Sequence, residues 1–203
     1  MLLVRHGVTP TTGTTLPGRA PGLHLGDEGL AQAQAVADRL ADLERIAAVY
    51  ASPLERTRET AKPIGKAVAT RVVIERGLIE CDFGDWTGEP LKKLMKLPDW
   101  TRVQRHPSGF RFPGGESFTE MQTRITAALA KLAERHRGGV VIAVSHADPI
   151  KAAVAHALGT HLDLFQRIVI SPCSVTAISL AGHGPTVLTV NSLTGPLSGL
   201  RPS

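Results

Sequence analysis

The sequence predicts an α/β fold with a mainly parallel central sheet and helices on both faces. Short apolar runs that do not alternate with polar residues are typical of strands that are covered on both sides. Such runs lie at 1–4, 47–50, 72–74, 140–145 and 175–180. Between them are segments whose apolar residues recur every three or four positions, as in amphipathic helices. This alternation of strands and helices is typical of a parallel sheet.

The helices are predicted from apolar faces and from residues that mark helix starts. One face is formed by Leu30, Ala33, Ala37, Leu40 and Ala41, and another by Phe118, Met121, Ile125, Leu129 and Leu132. Ser52 and Ser117 each stand three residues before a glutamate, which predicts a capping box at both serines. Asp148 and Pro149 predict an N-cap followed by a first-turn proline.

We expect one domain over 1–203, because a chain of 203 residues with 42% apolar composition can form one substantial core. The regular pattern is lost at 81–116, where Gly, Pro, Trp and Phe are frequent and only a short basic helix at 91–97 is indicated. We interpret this segment, called the excursion, as a loop over the sheet. The tail from about 191 is rich in Gly, Pro and Ser, and we expect it to be loosely held.

The composition indicates the cellular compartment of the protein and the class of ligand that it binds. The sequence contains no apolar run of the roughly 18 residues that cross a bilayer and no secretory signal, so we expect a cytoplasmic protein that does not bind membranes. Cys81 and Cys173 lie far apart and indicate neither a disulfide framework nor a zinc site. The net charge of +5 favours anionic ligands. Nucleic acid is disfavoured, because the basic residues are dispersed and stacking aromatics are few.

Polar side chains follow three of the predicted strands. The first strand continues into Arg5 and His6, and the second into Ser52 and a helix that carries Arg56. The strand at 140–145 is followed by His146. Ligands of open α/β sheets bind at the carboxyl ends of the strands, so we expect these side chains to meet. A single histidine there would indicate little, but two histidines and two arginines together require an anion, and a phosphoryl group suits guanidinium donors.

Five segments of the chain resemble motifs of the histidine phosphatase superfamily, whose members are phosphoglycerate-mutase-like, and they occur in the order that the family shows. The segments are LVRHG, YASPLERTRETA, LIECDFGDWTGE, PGGES and VIAVSHAD, and together they span the chain from residue 1 to roughly 180. The resemblance implies an enzyme that transfers phosphoryl groups with no metal and no organic cofactor. Its expected ligand is a small phosphorylated metabolite.

The resemblance also implies roles for individual residues. His6 is expected to be the nucleophile that becomes phosphohistidine, with Arg5 and Arg56 binding the phosphoryl oxygens. His146 is expected to be the second histidine of the pocket, and Glu80 the general acid and base. The role of Glu80 comes from the resemblance alone, because a carboxylate in a loop would otherwise be interpreted as exposed to solvent.

Further residues are candidates around the pocket. Many relatives continue the first motif as RHGxTxxN, and Thr12 takes the place of that asparagine, with one hydroxyl proton to donate. The backbone N–H of Gly13 is expected to add a donor, and Arg19 in the GRAPG loop is a candidate for the substrate rim. Solvated or structural roles are expected for Lys92, Lys93, Lys96, Trp86, His24, His106, His136, His156, His161 and His183.

Three functions remain open: a phosphatase, a phosphoglycerate-type mutase, and a weakly active domain that binds a phosphorylated ligand. Mutases of the resembled family carry basic and aromatic residues directly after the glutamate, in an ERHYG-like run, whereas this chain has Cys81, Asp82 and Phe83. The excursion is also short, with only about thirty residues between Gly84 and the PGGES segment. A phosphatase is therefore favoured. Homodimers are common in that family, but the sequence leaves the oligomeric state open.

Overall fold

A six-stranded sheet runs through the computed structural model, which describes residues 1–180 and 184–197. Its strands are β1 (Leu2–Arg5), β2 (Ile46–Ala51), β3 (Val72–Ile74), β4 (Val140–Ser145), β5 (Val175–Ser179) and β6 (Thr186–Ser192). Their order is β3-β2-β4-β1-β5-β6. The strands β3, β2, β4 and β1 are parallel to one another, whereas β5 pairs antiparallel with both of its neighbours, β1 and β6. The mainly parallel sheet is therefore confirmed.

Helices cover both faces of the sheet. Those in the described residues are α1 (Asp27–Ala41), α2 (Glu55–Ala67), α3 (Leu91–Leu94), α4 (Pro98–Arg105), α5 (Phe118–Arg135) and α6 (Ala147–Ala157). Successive residues of β4 alternate between two cores, because Ile142 and Val144 pack with α1 and α2 whereas Val141 and Ala143 pack with α5 and α6. Both sides of the strand are thus buried, which explains its unbroken apolar run. None of these helices combines the length and the apolar composition that a membrane crossing needs.

The excursion folds back on itself above the sheet. The helix predicted at 91–97 is α3, which ends at Leu94, and Pro98 then begins α4 in its first turn. Trp86 is buried, with ring centroids 5.7 Å from Phe110 and 5.3 Å from Phe112, so its predicted packing role is confirmed. Lys92, Lys93 and Lys96, for which the sequence predicts solvated roles, are exposed.

The two ends of the excursion lie against each other. The backbone N–H of Glu116 donates to the carbonyl of Asp82 at 3.0 Å. A Cβ atom on Gly115 would lie only 2.3 Å from that same carbonyl oxygen, so only glycine allows the backbones to approach this closely. The excursion is therefore closed at its base, beside Glu80.

The capping box predicted at Ser117 is confirmed, whereas the other two predicted helix starts are wrong. The Ser117 hydroxyl accepts from the Glu120 N–H at 3.1 Å, and the Glu120 carboxylate accepts from the Ser117 N–H at 2.9 Å. α2 begins instead after Leu54, because the Ser52 hydroxyl bonds to the buried His146. The N-cap of α6 is His146 itself, so Asp148 is already the second residue of that helix.

The end of the chain differs from the expected loose tail. Asn191 and Ser192 belong to β6, an edge strand whose half-buried residues and irregular register hide its pattern in the sequence. Beyond it, Arg39 of α1 donates to the carbonyls of Ser192 at 3.1 Å, Thr194 at 3.0 Å and Gly195 at 3.2 Å. The rest of the predicted tail, 198–203, lies outside the described residues.

Candidate active site

His6 directly follows β1 and is buried, with 6% of its surface exposed. Its Nδ1 atom lies 2.7 Å from the carbonyl oxygen of Gly7, so Nδ1 carries the proton and donates it. Nε2 is then unprotonated and accepts from Nε of Arg56 at 3.3 Å. Burial, followed by the charge of Arg56, lowers the pKa of His6 to about 3. The side chain is therefore a neutral imidazole with its Nε2 lone pair facing an arginine.

The backbone after His6 is held by close packing against α1 and α2. A Cβ atom on Gly7 would lie 2.5 Å from the carbonyl oxygen of Gly29, so this approach requires glycine. The Gly7 N–H donates to the hydroxyl of Thr60 at 3.1 Å, and the Val8 N–H donates to the amide oxygen of Gln32 at 3.0 Å. These contacts fix the backbone turn that orients the side chain of His6.

Arg56 lies in the first turn of α2 and is completely buried. Its Nη2 donates to the carbonyl of Gly18 at 2.8 Å, whereas its Nη1 is buried and has no hydrogen-bond partner among the described residues. Arg5, at the end of β1, donates from Nη1 to the carbonyl of Ile170 at 2.7 Å, and its buried Nε has no partner within 1–180 and 184–197. Unpaired buried donors are costly, particularly on charged groups, so this arrangement suits an anionic ligand that accepts from both guanidinium groups.

His146 follows β4 and is wholly buried beside His6, with ring centroids 5.2 Å apart. Its Nε2 lies 2.8 Å from the hydroxyl of Ser52, and its buried Nδ1 has no hydrogen-bond partner in the part of the chain that the structure describes. Burial, followed by the charge of Arg56, lowers the pKa of His146, so this ring is also neutral. The sequence places Ser52 at this edge of the sheet, at the end of β2, the strand next to β4, but it predicts a helix cap there rather than a contact with His146.

Glu80 lies between a 3-10 turn at Arg76–Leu78 and the excursion, yet only 8% of its surface is exposed. Its Oε1 accepts from the N–H of Cys81 at 2.9 Å, and its Oε2 lies 3.8 Å from Nδ1 of His146. Burial raises the pKa of Glu80 to about 7, with a further increase from the negative charge of Asp148. The structure thus brings this loop carboxyl group next to His146, with a pKa that allows it to give or take a proton near neutrality.

The remaining candidates lie in the loops around these residues. The hydroxyl of Thr12 accepts from the N–H of Thr9 at 2.9 Å, so it stabilises its own turn. Gly13 has a positive φ of 78° and is exposed beside it. Arg19 donates to Asp82 at 3.1 Å and Glu116 at 3.0 Å, which occupies part of its guanidinium group within the protein. Ligand contacts by these residues stay predictions.

Two histidines outside the motifs pair with other side chains. His24 pairs with Glu59, and the hydroxyl of Tyr50 lies 2.9 Å from Nε2 of His136. His183 lies outside the described residues. Over 1–180 and 184–197, no group of three His, Cys, Asp or Glu side chains is arranged to hold a metal ion.

Comparisons with known proteins match the chain over nearly its whole length. The family model described as "Histidine phosphatase superfamily (branch 1)" matches residues 1–193. Phosphoserine phosphatase 1 of Hydrogenobacter thermophilus is 32% identical over 196 residues, which cover 94% of this chain and 91% of that protein. The metal-independent phosphoserine phosphatase of Arabidopsis thaliana is 36% identical over 159 residues, covering 75% and 66%. The solved structure of Bacillus stearothermophilus YhfR superposes with a TM-score of 0.87 at 26% identity, covering 95% and 96%.

Proposed function

We propose that this chain, which belongs to the histidine phosphatase superfamily, hydrolyses a small phosphomonoester through a phosphohistidine on His6. One observation carries the proposal: a neutral buried imidazole with an unprotonated Nε2 lies against the buried Arg56, and both Arg56 and the half-buried Arg5 have a buried donor with no partner among the described residues. An imidazole in this state is a nucleophile, and the arginines suit the anion that it attacks. The reaction uses no metal and no cofactor.

In the first step, Nε2 of His6 attacks the phosphorus atom, forming a P–N bond as the ester P–O bond breaks. Glu80, in its protonated form, gives its proton to the departing oxygen, which leaves as an alcohol. Arg5 and Arg56 bind the phosphoryl oxygens and stabilise the negative charge that they carry in the transition state.

In the second step, a water molecule attacks the phosphohistidine. Glu80, now a carboxylate, takes a proton from this water, the P–N bond breaks, and inorganic phosphate leaves. His6 is again neutral and Glu80 is again protonated, so the cycle is closed. A pKa of about 7 suits a group that must act as acid in one step and as base in the next.

Ser52 sets the tautomer of His146 in this mechanism. In the proposed arrangement the Ser52 hydroxyl accepts from the N–H of Leu54 at 3.5 Å and donates its own proton to Nε2 of His146 at 2.8 Å. Nδ1 of His146 then carries the ring proton and is a donor for a phosphoryl oxygen. This role requires a neutral His146, which agrees with its lowered pKa.

A phosphatase is favoured over a mutase because the residues after Glu80 do not offer cations to a substrate. Cys81 and Phe83 are buried, with 0% and 3% of their surfaces exposed, and Asp82 pairs with Arg19. A mutase must retain its phosphorylated product for a second transfer, which requires such contacts. Two of the similar proteins, from Hydrogenobacter thermophilus and Arabidopsis thaliana, are named phosphoserine phosphatases, so phosphoserine is the first substrate to test.

The test is phosphate release from a panel containing phosphoserine, phosphoglycerates and sugar phosphates, with the wild type and His6→Ala in parallel. We expect inorganic phosphate from at least one ester with the wild type and none with the variant. Phosphate release that survives His6→Ala would contradict the mechanism. Transfer between phosphoglycerates with little inorganic phosphate would instead show a mutase.

A further inference from the structure

We propose that Arg19, Glu116 and Arg124 act as a positioning device for Glu80, aiming its carboxyl group at the ester oxygen of the substrate. We call these three residues the arginine clamp. The inference rests on the proposed role of Glu80 as general acid and base. None of the three touches the reacting atoms in this proposal, because the two arginines act through the backbone of Glu80 and Glu116 acts through the arginines.

Arg124 reaches from α5 to three backbone carbonyls in the segment that carries Glu80. Its Nη1 donates to Gly77 at 2.9 Å and to Ile79 at 2.7 Å. Its Nη2 donates to the carbonyl of Glu80 at 3.3 Å. One planar guanidinium group therefore fixes the path of the chain up to and including Glu80.

Arg19 approaches the same peptide from another loop. Its Nε donates to the carbonyl of Glu80 at 2.9 Å, so this single carbonyl oxygen accepts from both arginines. Glu116 lies between them, with Oε2 3.0 Å from Nη2 of Arg19 and Oε1 2.6 Å from Nη2 of Arg124. Because each oxygen of Glu116 holds one arginine, the carboxylate orients both of them.

The clamped carbonyl belongs to the peptide group that holds the Glu80 side chain. This carbonyl and the N–H of Cys81 lie in one planar peptide unit. That N–H donates to Oε1 of Glu80 at 2.9 Å. Fixing the carbonyl therefore fixes the direction of the N–H, and the N–H in turn fixes the carboxyl group. Oε2 remains directed to the pocket, 3.8 Å from Nδ1 of His146.

The charges of this region support a positioning role. Arg19 and Arg124 are balanced by Glu116 and by Asp82, which pairs with Arg19 at 3.1 Å. The side chains of Arg19, Arg124 and Glu116 are 29%, 22% and 15% exposed, respectively, so water competes only partly with these charge-assisted contacts. A balanced set of charges can hold the backbone without strongly favouring either protonation state of Glu80.

The experiment compares two classes of ester in Arg124→Lys and Glu116→Gln. An alkyl phosphate needs a proton on its leaving oxygen, whereas 2,4-dinitrophenyl phosphate releases a stable anion and needs no general acid. We expect each variant to lose about tenfold more kcat/KM on the alkyl ester than on the aryl ester, because a displaced acid penalises only the former. The matched control is Arg39→Lys, since Arg39 also donates to several backbone carbonyls but contacts 192–195.

A second set of variants shows whether the clamp acts through Glu80. In a Glu80→Gln background, Arg124→Lys should add no further loss that depends on the leaving group. Equal losses on both esters in the clamp variants, as in Arg39→Lys, would overturn the positioning role. So would a leaving-group effect that persists in the Glu80→Gln background.

Failure of the clamp and failure of the proposed function give different results. If Glu80→Gln alone loses activity equally on both esters, Glu80 is not the acid, and both proposals are wrong. If Glu80→Gln discriminates between the esters but neither clamp variant does, only the clamp is wrong. Thermal unfolding of each variant identifies losses that come from unfolded protein, and Glu116→Gln provides the test if Arg124→Lys does not fold.

Discussion

The two halves of the candidate active site are held in different ways. His6, Arg56 and His146 lie at the end of β1, in the first turn of α2 and at the end of β4, so regular elements position them. Glu80 lies in an irregular segment and is held by Arg19, 61 residues before it, and by Arg124, 44 residues after it. The residues proposed to bind the phosphoryl group are therefore placed by the topology of the sheet, whereas the residue proposed to transfer the proton is placed by contacts with side chains distant in sequence.

Removing the nucleophile should have the largest effect, because the other groups act on a bond that His6 forms. We expect His6→Ala to lower kcat by more than about a thousandfold while leaving the fold intact. Steady-state phosphate release measures this loss, and circular dichroism checks the fold. His106→Ala, at an exposed histidine, is the control and should retain wild-type activity.

Glu80→Gln removes the proton transfer and should lower kcat/KM on an alkyl ester by about a hundredfold to ten-thousandfold. Since the first step needs protonated Glu80, the wild-type kcat/KM should fall as the pH rises through about 7, the raised pKa of this group. The variant should lack that decline and keep only the dependence that belongs to the ester's own ionisation near pH 6. A decline that is unchanged in Glu80→Gln would assign it to another group.

Arg56→Lys tests the half of the site that regular elements hold. A lysine keeps the charge but cannot present a planar fork to two oxygens. We expect kcat to fall by about a hundredfold to a thousandfold, the usual loss when one transition-state donor is removed. Arg58→Lys is a matched control in the same helix, because Arg58 is exposed, and it should have little effect. Equal activity in the two variants would remove Arg56 from the mechanism.

Ser52→Ala should have a smaller effect, since the serine acts through His146. Losing its hydrogen bond frees the tautomer of His146, and we expect a loss of about tenfold in kcat. Ser108→Ala, at an exposed serine of the excursion, is the control. Wild-type kinetics for Ser52→Ala would show that the tautomer of His146 does not matter.

A chelator should have the smallest effect, because the proposed steps use only side chains of the protein and water. We expect phosphate release to be unchanged after incubation with EDTA and dialysis. Strong inhibition that added divalent metal reverses would contradict the metal-free mechanism.

The difference between the two halves also explains what the sequence predicts and what it does not. Arg5, His6, Arg56 and His146 are found from the sequence because strand ends meet at one edge of a parallel sheet. Glu80 is reached only through the resemblance, since it lies in an irregular segment whose backbone is held by Arg19 and Arg124, which no local pattern connects to it. The role of Ser52 is missed because a serine three residues before a glutamate also satisfies a local rule for helix capping.

The most direct measurement is to trap the phosphoenzyme during turnover. The wild type, mixed with labelled substrate and quenched within milliseconds, should carry a phosphate that is stable in alkali and lost in acid. Peptide mapping should place it on His6. A labelled His6 would establish covalent catalysis at this residue. Full turnover with no label, or with the label on another residue, would contradict the proposed mechanism.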